Sequence, residues 1–118
     1  MNLFEKYGGA DFWSDFLNDV YKRLTNSDLT RHHFMNKNIS HIKEMLLGLL
    51  ELTLVSDSHI SEAEMKDSHK PMGITNEEFD EWVNIYRTTL QELGVADTDV
   101  TFIANMLSSY RSSIVADI

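Results

Sequence analysis

Cysteine is absent from the 118-residue chain. Disulfides, thiolate metal sites and cysteine nucleophiles are therefore excluded together. Basic charge is scarce: 10 Lys and Arg stand against 19 Asp and Glu, giving a formal net charge of -9. Binding of nucleic acid through neutralised phosphates is not expected from such a chain. The acidity reads as a device for solubility. Long apolar runs are also missing. The longest apolar stretch, Met45 to Val55, is interrupted by Gly48, Glu51 and Thr53, well short of the roughly 18–20 residues a membrane span needs. The first residues, Met1-Asn2-Leu3-Phe4-Glu5-Lys6, show no basic segment followed by an apolar one. No signal peptide and a cytoplasmic location are the expectation. The length predicts one domain over residues 1–118. With 42% hydrophobic and 25% charged residues, that domain reads as soluble and globular.

Helical periodicity dominates what remains. Phe12, Phe16, Val20 and Leu24 recur every four residues, with Trp13 and Leu17 beside them. Asn38 or Ser40 starts a second long helix bearing Ile39, Ile42, Leu46, Leu49 and Leu50. Ser61-Glu62-Ala63-Glu64 has the capping-box pattern and opens a short helix ending near His69. Thr75-Asn76-Glu77-Glu78 repeats the pattern before a longer helix with Phe79, Trp82, Val83, Tyr86 and Leu90 on one face. Gly94 ends that helix. Asp97 caps a last one bearing Val100, Ile103, Leu107, Tyr110 and Ile114. Breakers fall between these segments: Gly8-Gly9, Asn26-Ser27-Asp28, Ser56-Asp57-Ser58, and Pro71 with Gly73. No run alternates like a strand, and no Asn-Gly or Asp-Gly turn occurs. The prediction is all-α: four long helices and a short one.

Hydrolase, phosphate-loop and EF-hand motifs are all absent. Glu77-Glu78 reads as a helix N-terminus interacting with its dipole. The five histidines carry more information. His32 and His33 are adjacent, so on a helix their side chains are expected to diverge. His41 lies on the helix side away from Ile42 and Leu46, and His59 is in a polar loop. His69 ends the short helix before Lys70-Pro71. Taken singly, each reads as a surface histidine, and no pair has zinc spacing with two further ligands. One histidine is nevertheless enough for haem, which brings four nitrogen ligands and needs one axial imidazole.

In order and spacing the residues resemble the truncated haemoglobins, most closely group I, over nearly the whole chain. Tyr7-Gly8-Gly9 is similar to the glycine pair that starts these proteins. Val20-Tyr21-Lys22-Arg23-Leu24 resembles their Phe-Tyr-x-Arg-Val segment. Phe34 matches the phenylalanine that stacks on haem, and Asn38-Ile39-Ser40-His41-Ile42 the start of the distal helix. Asp67-Ser68-His69 followed by Gly73-Ile74-Thr75 resembles the proximal stretch, and Leu93-Gly94-Val95 the turn before the last helix.

The resemblance implies a two-over-two helical sandwich around haem b, iron protoporphyrin IX. It implies His69 as the proximal iron ligand and Tyr21 as the distal hydrogen-bond donor. Ile42 and Leu46 face bound gas, and Leu50 lies one turn beyond. Met65, Ile74, Phe79 and Trp82 wall the porphyrin beside Phe34. Met45 falls near a propionate or at an internal sixth-ligand position. Arg31, Lys37, Lys43 and Lys70 are candidates to pair with the propionates. Two positions depart from the group I pattern. Leu46 stands where many members have a donor Gln, and Trp82 is a residue more typical of other groups; its indole N–H is a candidate second donor.

The implied function is reversible binding of oxygen, nitric oxide or CO, in oxygen transport, storage or sensing. It extends to nitric oxide dioxygenase or weak peroxidase activity with an unidentified reductase. Two rival readings stay open. One is a hexacoordinate haem protein for electron transfer or peroxide chemistry, with Met45, His32, His33 or His41 as sixth ligand. The other is a globin-like binding module without haem.

Overall fold

The structure is a computed structural model that describes residues 2–56 and 62–115. Ser61, the expected cap of the short helix, lies outside the described residues, as do His59 and Asp57-Ser58 of the polar loop. The described part is helical, with no strand among the described residues. Helix α1 spans Leu3–Lys6 and α2 Gly9–Leu24. A 3-10 turn, Arg31–Phe34, precedes α3, Ile39–Ser56. Helix α4, Glu62–His69, runs into a second 3-10 turn, Lys70–Met72. Helices α5, Asn76–Glu92, α6, Asp97–Ser108, and α7, Arg111–Ile114, complete the chain.

Each long helix forms for a local reason. In α2 the four-residue apolar spacing buries Trp13, Phe16, Leu17, Val20, Tyr21 and Leu24 on one face. Its start needs Gly8, whose φ of 125° lies where a side chain is strained. The Asn38 side chain accepts from the His41 N–H at 3.1 Å, which settles the start of α3 on Asn38 rather than Ser40. At α5 the full capping box is made: Thr75 Oγ1 accepts from the Glu78 N–H at 3.1 Å, and Glu78 Oε1 accepts from the Thr75 N–H at 3.0 Å. Gly94, at φ 84°, ends α5. There the Val95 N–H reaches the Leu90 carbonyl and the Gly94 N–H reaches that of Gln91, the paired closure that a left-handed glycine permits. Thr75→Ala is expected to cost about 1 kcal/mol of stability, lowering Tm by about 4 °C in a calorimetric scan.

The last expected helix is two helices. Asp97 is the first residue of α6 rather than its cap, and Ala96 in the capping position makes no side-chain bond. Helix α6 stops at Ser108. There the Tyr110 N–H turns to the Leu107 carbonyl, and the Ser113 N–H to that of Tyr110. The Ser109 hydroxyl donates to the Met106 carbonyl. Serines compete for backbone partners in this way, and the run Ser108-Ser109 followed by Ser112-Ser113 breaks the helical register. Tyr110 and Ile114 are still buried, as their spacing predicts.

The closely packed helix pairs are α2 with α3, α5 with α6, and α2 with α5, while α4 packs on α7 and α1 on α3. Two pairs of helices, joined through α2 and α5, make the two-over-two sandwich. An aromatic column crosses that junction. Ring centroids are 5.4 Å apart for Trp13 and Phe16, 5.4 Å for Phe16 and Tyr86, 5.2 Å for Tyr86 and Trp82, and 5.3 Å for Trp82 and Phe79. The short α1 is tied on by Asp99, which accepts from Lys6 at 2.8 Å and from the Tyr7 hydroxyl. Those two donors hold the Asp99 carboxyl below the usual carboxylate range.

Candidate functional site

Helix α3 is not closely packed on α4. The apolar side chains Phe34, Ile42, Leu46, Ile74 and Trp82 are only half-covered, although each touches the core. Side chains left half-covered in this way are available to an apolar occupant.

His69 stands at the end of α4. Its Nδ1 lies 3.0 Å from the Met65 carbonyl oxygen and 2.9 Å from Ser68 Oγ. The Ser68 hydroxyl donates its own proton to the Glu64 carbonyl at 2.8 Å. Ser68 Oγ therefore meets Nδ1 as an acceptor, and so does the Met65 carbonyl. Two acceptors require the proton on Nδ1 and leave Nε2 with a bare lone pair. Burial lowers the pKa of His69, partly offset by the Met65 hydrogen bond, which favours the neutral ring that a metal ligand requires. The following 3-10 turn is anchored by Lys70, whose ammonium donates to the Val115 carbonyl.

Tyr21 is buried on α2, with its ring edge-on to Phe34 at 5.3 Å between centroids. Burial, and then the neighbouring Tyr86, push its hydroxyl far above the ordinary phenol value. The group is a neutral donor at every physiological pH. No hydrogen bond engages the Tyr21 hydroxyl among the described residues. Among the described residues the fully buried hydroxyl without a partner is that of Tyr110; the Tyr21 hydroxyl keeps some access and is free to meet a further polar group.

The other expected site residues fall into three settings. Ile42 and Leu46 are half-buried on α3, with Leu50 fully buried a turn beyond. Met65 and Phe79 are buried in the core, while Ile74 and Trp82 are half-buried beside it. Met45 is not brought into this group, because 52% of its surface is exposed. Of the four basic candidates, Lys43 donates to Asn18 at 2.8 Å, Arg31 pairs with Asp28 at 3.3 Å, and Lys70 holds Val115. Lys37 is exposed.

Three features were not legible as site features. Tyr86 is the common neighbour of Tyr21 and Trp82, its ring edge-on to that of Trp82. In the sequence it is one more apolar-face residue of α5. A cavity of about 250 Å³ lies between α2 and α3, lined by Asn18, Tyr21, Lys22, Thr25, Ile39 and Lys43. The third concerns His32 and His33, whose rings do not diverge. Their centroids are 4.0 Å apart, and both Nε2 atoms turn to Glu78, at 3.1 and 2.9 Å.

Comparison with known proteins gives a consistent result. A family model described as bacterial-like globin matches residues 2–116. The chain is 29% identical to a group 1 truncated hemoglobin of Tetrahymena thermophila, over 92% of this chain and 90% of the relative. The crystal structure of the truncated hemoglobin from Tetrahymena pyriformis in its Fe(III) form superposes with a TM-score of 0.84 at 25% identity, covering 98% of both chains. The cyanomet 2/2 hemoglobin of a Synechococcus species, which carries covalently attached heme, superposes at 0.88 with 19% identity over 98% of both chains.

Proposed function

Since the chain belongs to the bacterial-like globins, among the group I truncated haemoglobins, we propose that it binds haem b through His69 and reversibly takes a diatomic gas on the side of Tyr21. The residues fit such a group. The bare Nε2 of His69 is the donor that an axial position needs, and this single observation carries the reading. The partnerless Tyr21 hydroxyl suits a polar occupant. Phe34, Ile74 and Trp82 offer half-covered apolar surface for a flat ring.

When bound, haem supplies an iron centre for the gas; the protein supplies everything that selects and retains it. The Nδ1–H bond to the Met65 carbonyl orients the His69 ring and raises its basicity. Ile42 and Leu46 exclude water without offering a donor. Tyr21 offers one, and so favours a gas on which negative charge develops. Oxygen is the first candidate, with nitric oxide and CO as competitors. Conversion of nitric oxide to nitrate would follow from oxygen binding, given an electron donor such as a reductase.

Internal sixth ligation has little support in these side chains. Met45 and His41 face water, and His32 and His33 are engaged at Glu78. The absorption spectrum of the purified protein tests the whole reading. A Soret band is expected with an open sixth position in the ferrous form, together with reversible conversion on adding oxygen. Low-spin ferrous bands without added ligand would point to the hexacoordinate alternative, and failure to take up haemin to the binding module.

Trp82 supplies a sharper test of which donor acts. Burial raises the Tyr86 phenol and the neighbouring Trp82 indole tempers that rise, and the ring centroids lie 5.2 Å apart. Trp82→Phe is therefore expected to leave the oxygen dissociation rate within about twofold, since no hydrogen bond to the gas is removed. A rise of about tenfold in stopped-flow measurements would make the indole a direct donor.

A further inference from the structure

We propose that His32, His33 and Glu78 form a binding site for a divalent transition-metal ion of the zinc class, separate from the pocket built on His69. The three side chains come from different parts of the chain. His32 and His33 belong to the 3-10 turn Arg31–Phe34, and Glu78 to the first turn of α5. Their ligand atoms all lie within 4.8 Å of one another. His32 Nε2 is 3.1 Å from Glu78 Oε2, and His33 Nε2 is 2.9 Å from Glu78 Oε1. A tetrahedral zinc ion, with bonds of roughly 2.0–2.1 Å, holds its ligand atoms about 3.3 Å apart. The side chains need only a small shift to close on an ion.

The carboxylate is held in place before any ion arrives. Glu78 Oε1 accepts the Thr75 N–H at 3.0 Å, and the Glu78 N–H is itself held by Thr75 Oγ1. The helix cap therefore acts as the outer support of the ligand, which is how orientation is set in metal sites. His33 and Glu78 are largely buried, with side-chain exposures of 9% and 13%, while His32 is 53% exposed. The site thus has a fixed floor and an open side through which an ion enters and water completes the coordination.

The donor set decides the class of ion. Two imidazoles and one carboxylate suit zinc and its transition-metal neighbours. Magnesium and calcium prefer all-oxygen shells. On binding, each neutral imidazole carries its proton on Nδ1 and presents the Nε2 lone pair, in place of the Nε2–H now directed at the carboxylate. The consequence for the fold is a clamp. The ion would fix the turn bearing Phe34 to the start of α5, and Phe34 packs on Tyr21.

The test is isothermal titration of the purified full chain with zinc sulfate in chelator-free buffer. One zinc ion per chain is expected, with affinity reduced about tenfold or more in both His32→Asn and His33→Asn. His41→Asn, on the exposed start of α3, should bind zinc as the parent does. His32 is exposed, so its variant is expected to keep the parental Tm and circular dichroism, and it decides the matter if His33→Asn folds poorly. Absence of stoichiometric binding, full affinity in His32→Asn, or equal binding of magnesium would each overturn the proposal. None of these outcomes depends on gas binding, so the site stands or falls apart from the role of His69.

Discussion

His69→Gly is expected to lose stable haem. Nothing else among the described residues has the environment of this imidazole. Its Nδ1 proton is shared between the Met65 carbonyl and Ser68 Oγ, and its pKa is lowered by burial. Removing an outer partner of a metal ligand already costs roughly 10–100-fold in affinity. Removing the ligand itself should exceed that range in a haemin titration followed at the Soret band. The apolar walls, from Phe34 to Trp82, remain, so weak and poorly oriented uptake is still expected. Glycine leaves a hole the size of the lost ring. Added imidazole should then fill it and recover much of the parental spectrum, whereas a variant that had merely unfolded would not recover. Parental affinity and an unchanged spectrum in His69→Gly would remove the residue from the proximal role.

Much of this site was written in local pattern. The capping sequence at Thr75 and the closing glycine at Gly94 specify their own hydrogen bonds, and the structure makes them. The four-residue spacing of α2 names the buried face that includes Tyr21. Other features depend on what lies across the fold. The proton of His69 is placed by carbonyls of its own helix and by a serine whose hydroxyl is already committed. Nothing in the residue order announces that commitment. The break at Ser109 is a contest between serine hydroxyls and the backbone for the same carbonyls. His32 and His33 would diverge on an isolated helix. They converge because one carboxylate, fixed by a cap more than forty residues later in sequence, attracts both.

Tyr21→Phe should speed oxygen loss from the haem-loaded protein about tenfold or more. The Tyr21 hydroxyl makes no hydrogen bond among the described residues, and the ring lies against Phe34. Leu46 has no donor, and the Trp82 ring packs edge-on against Tyr86. A single hydrogen bond in a dry pocket contributes roughly 1–1.5 kcal/mol, and 1.4 kcal/mol is about a factor of ten in a dissociation constant. The low local dielectric strengthens such a bond rather than weakening it. Carbon monoxide accumulates less charge than oxygen, so its release should change less, and the ratio of the two rates reports the hydroxyl specifically. Phenylalanine keeps the ring that meets Phe34 edge-on at 5.3 Å, which separates loss of the donor from loss of packing. The pH dependence has a definite sign. Burial raises the Tyr21 phenol far above its ordinary value, so the neutral, donating form persists from acid into the alkaline range where an exposed phenol near pH 10 would ionise. The parental dissociation rate should accordingly stay flat as pH rises toward 10. A rate within about twofold of the parent in Tyr21→Phe, less than one hydrogen bond accounts for, would assign oxygen retention to something other than this hydroxyl.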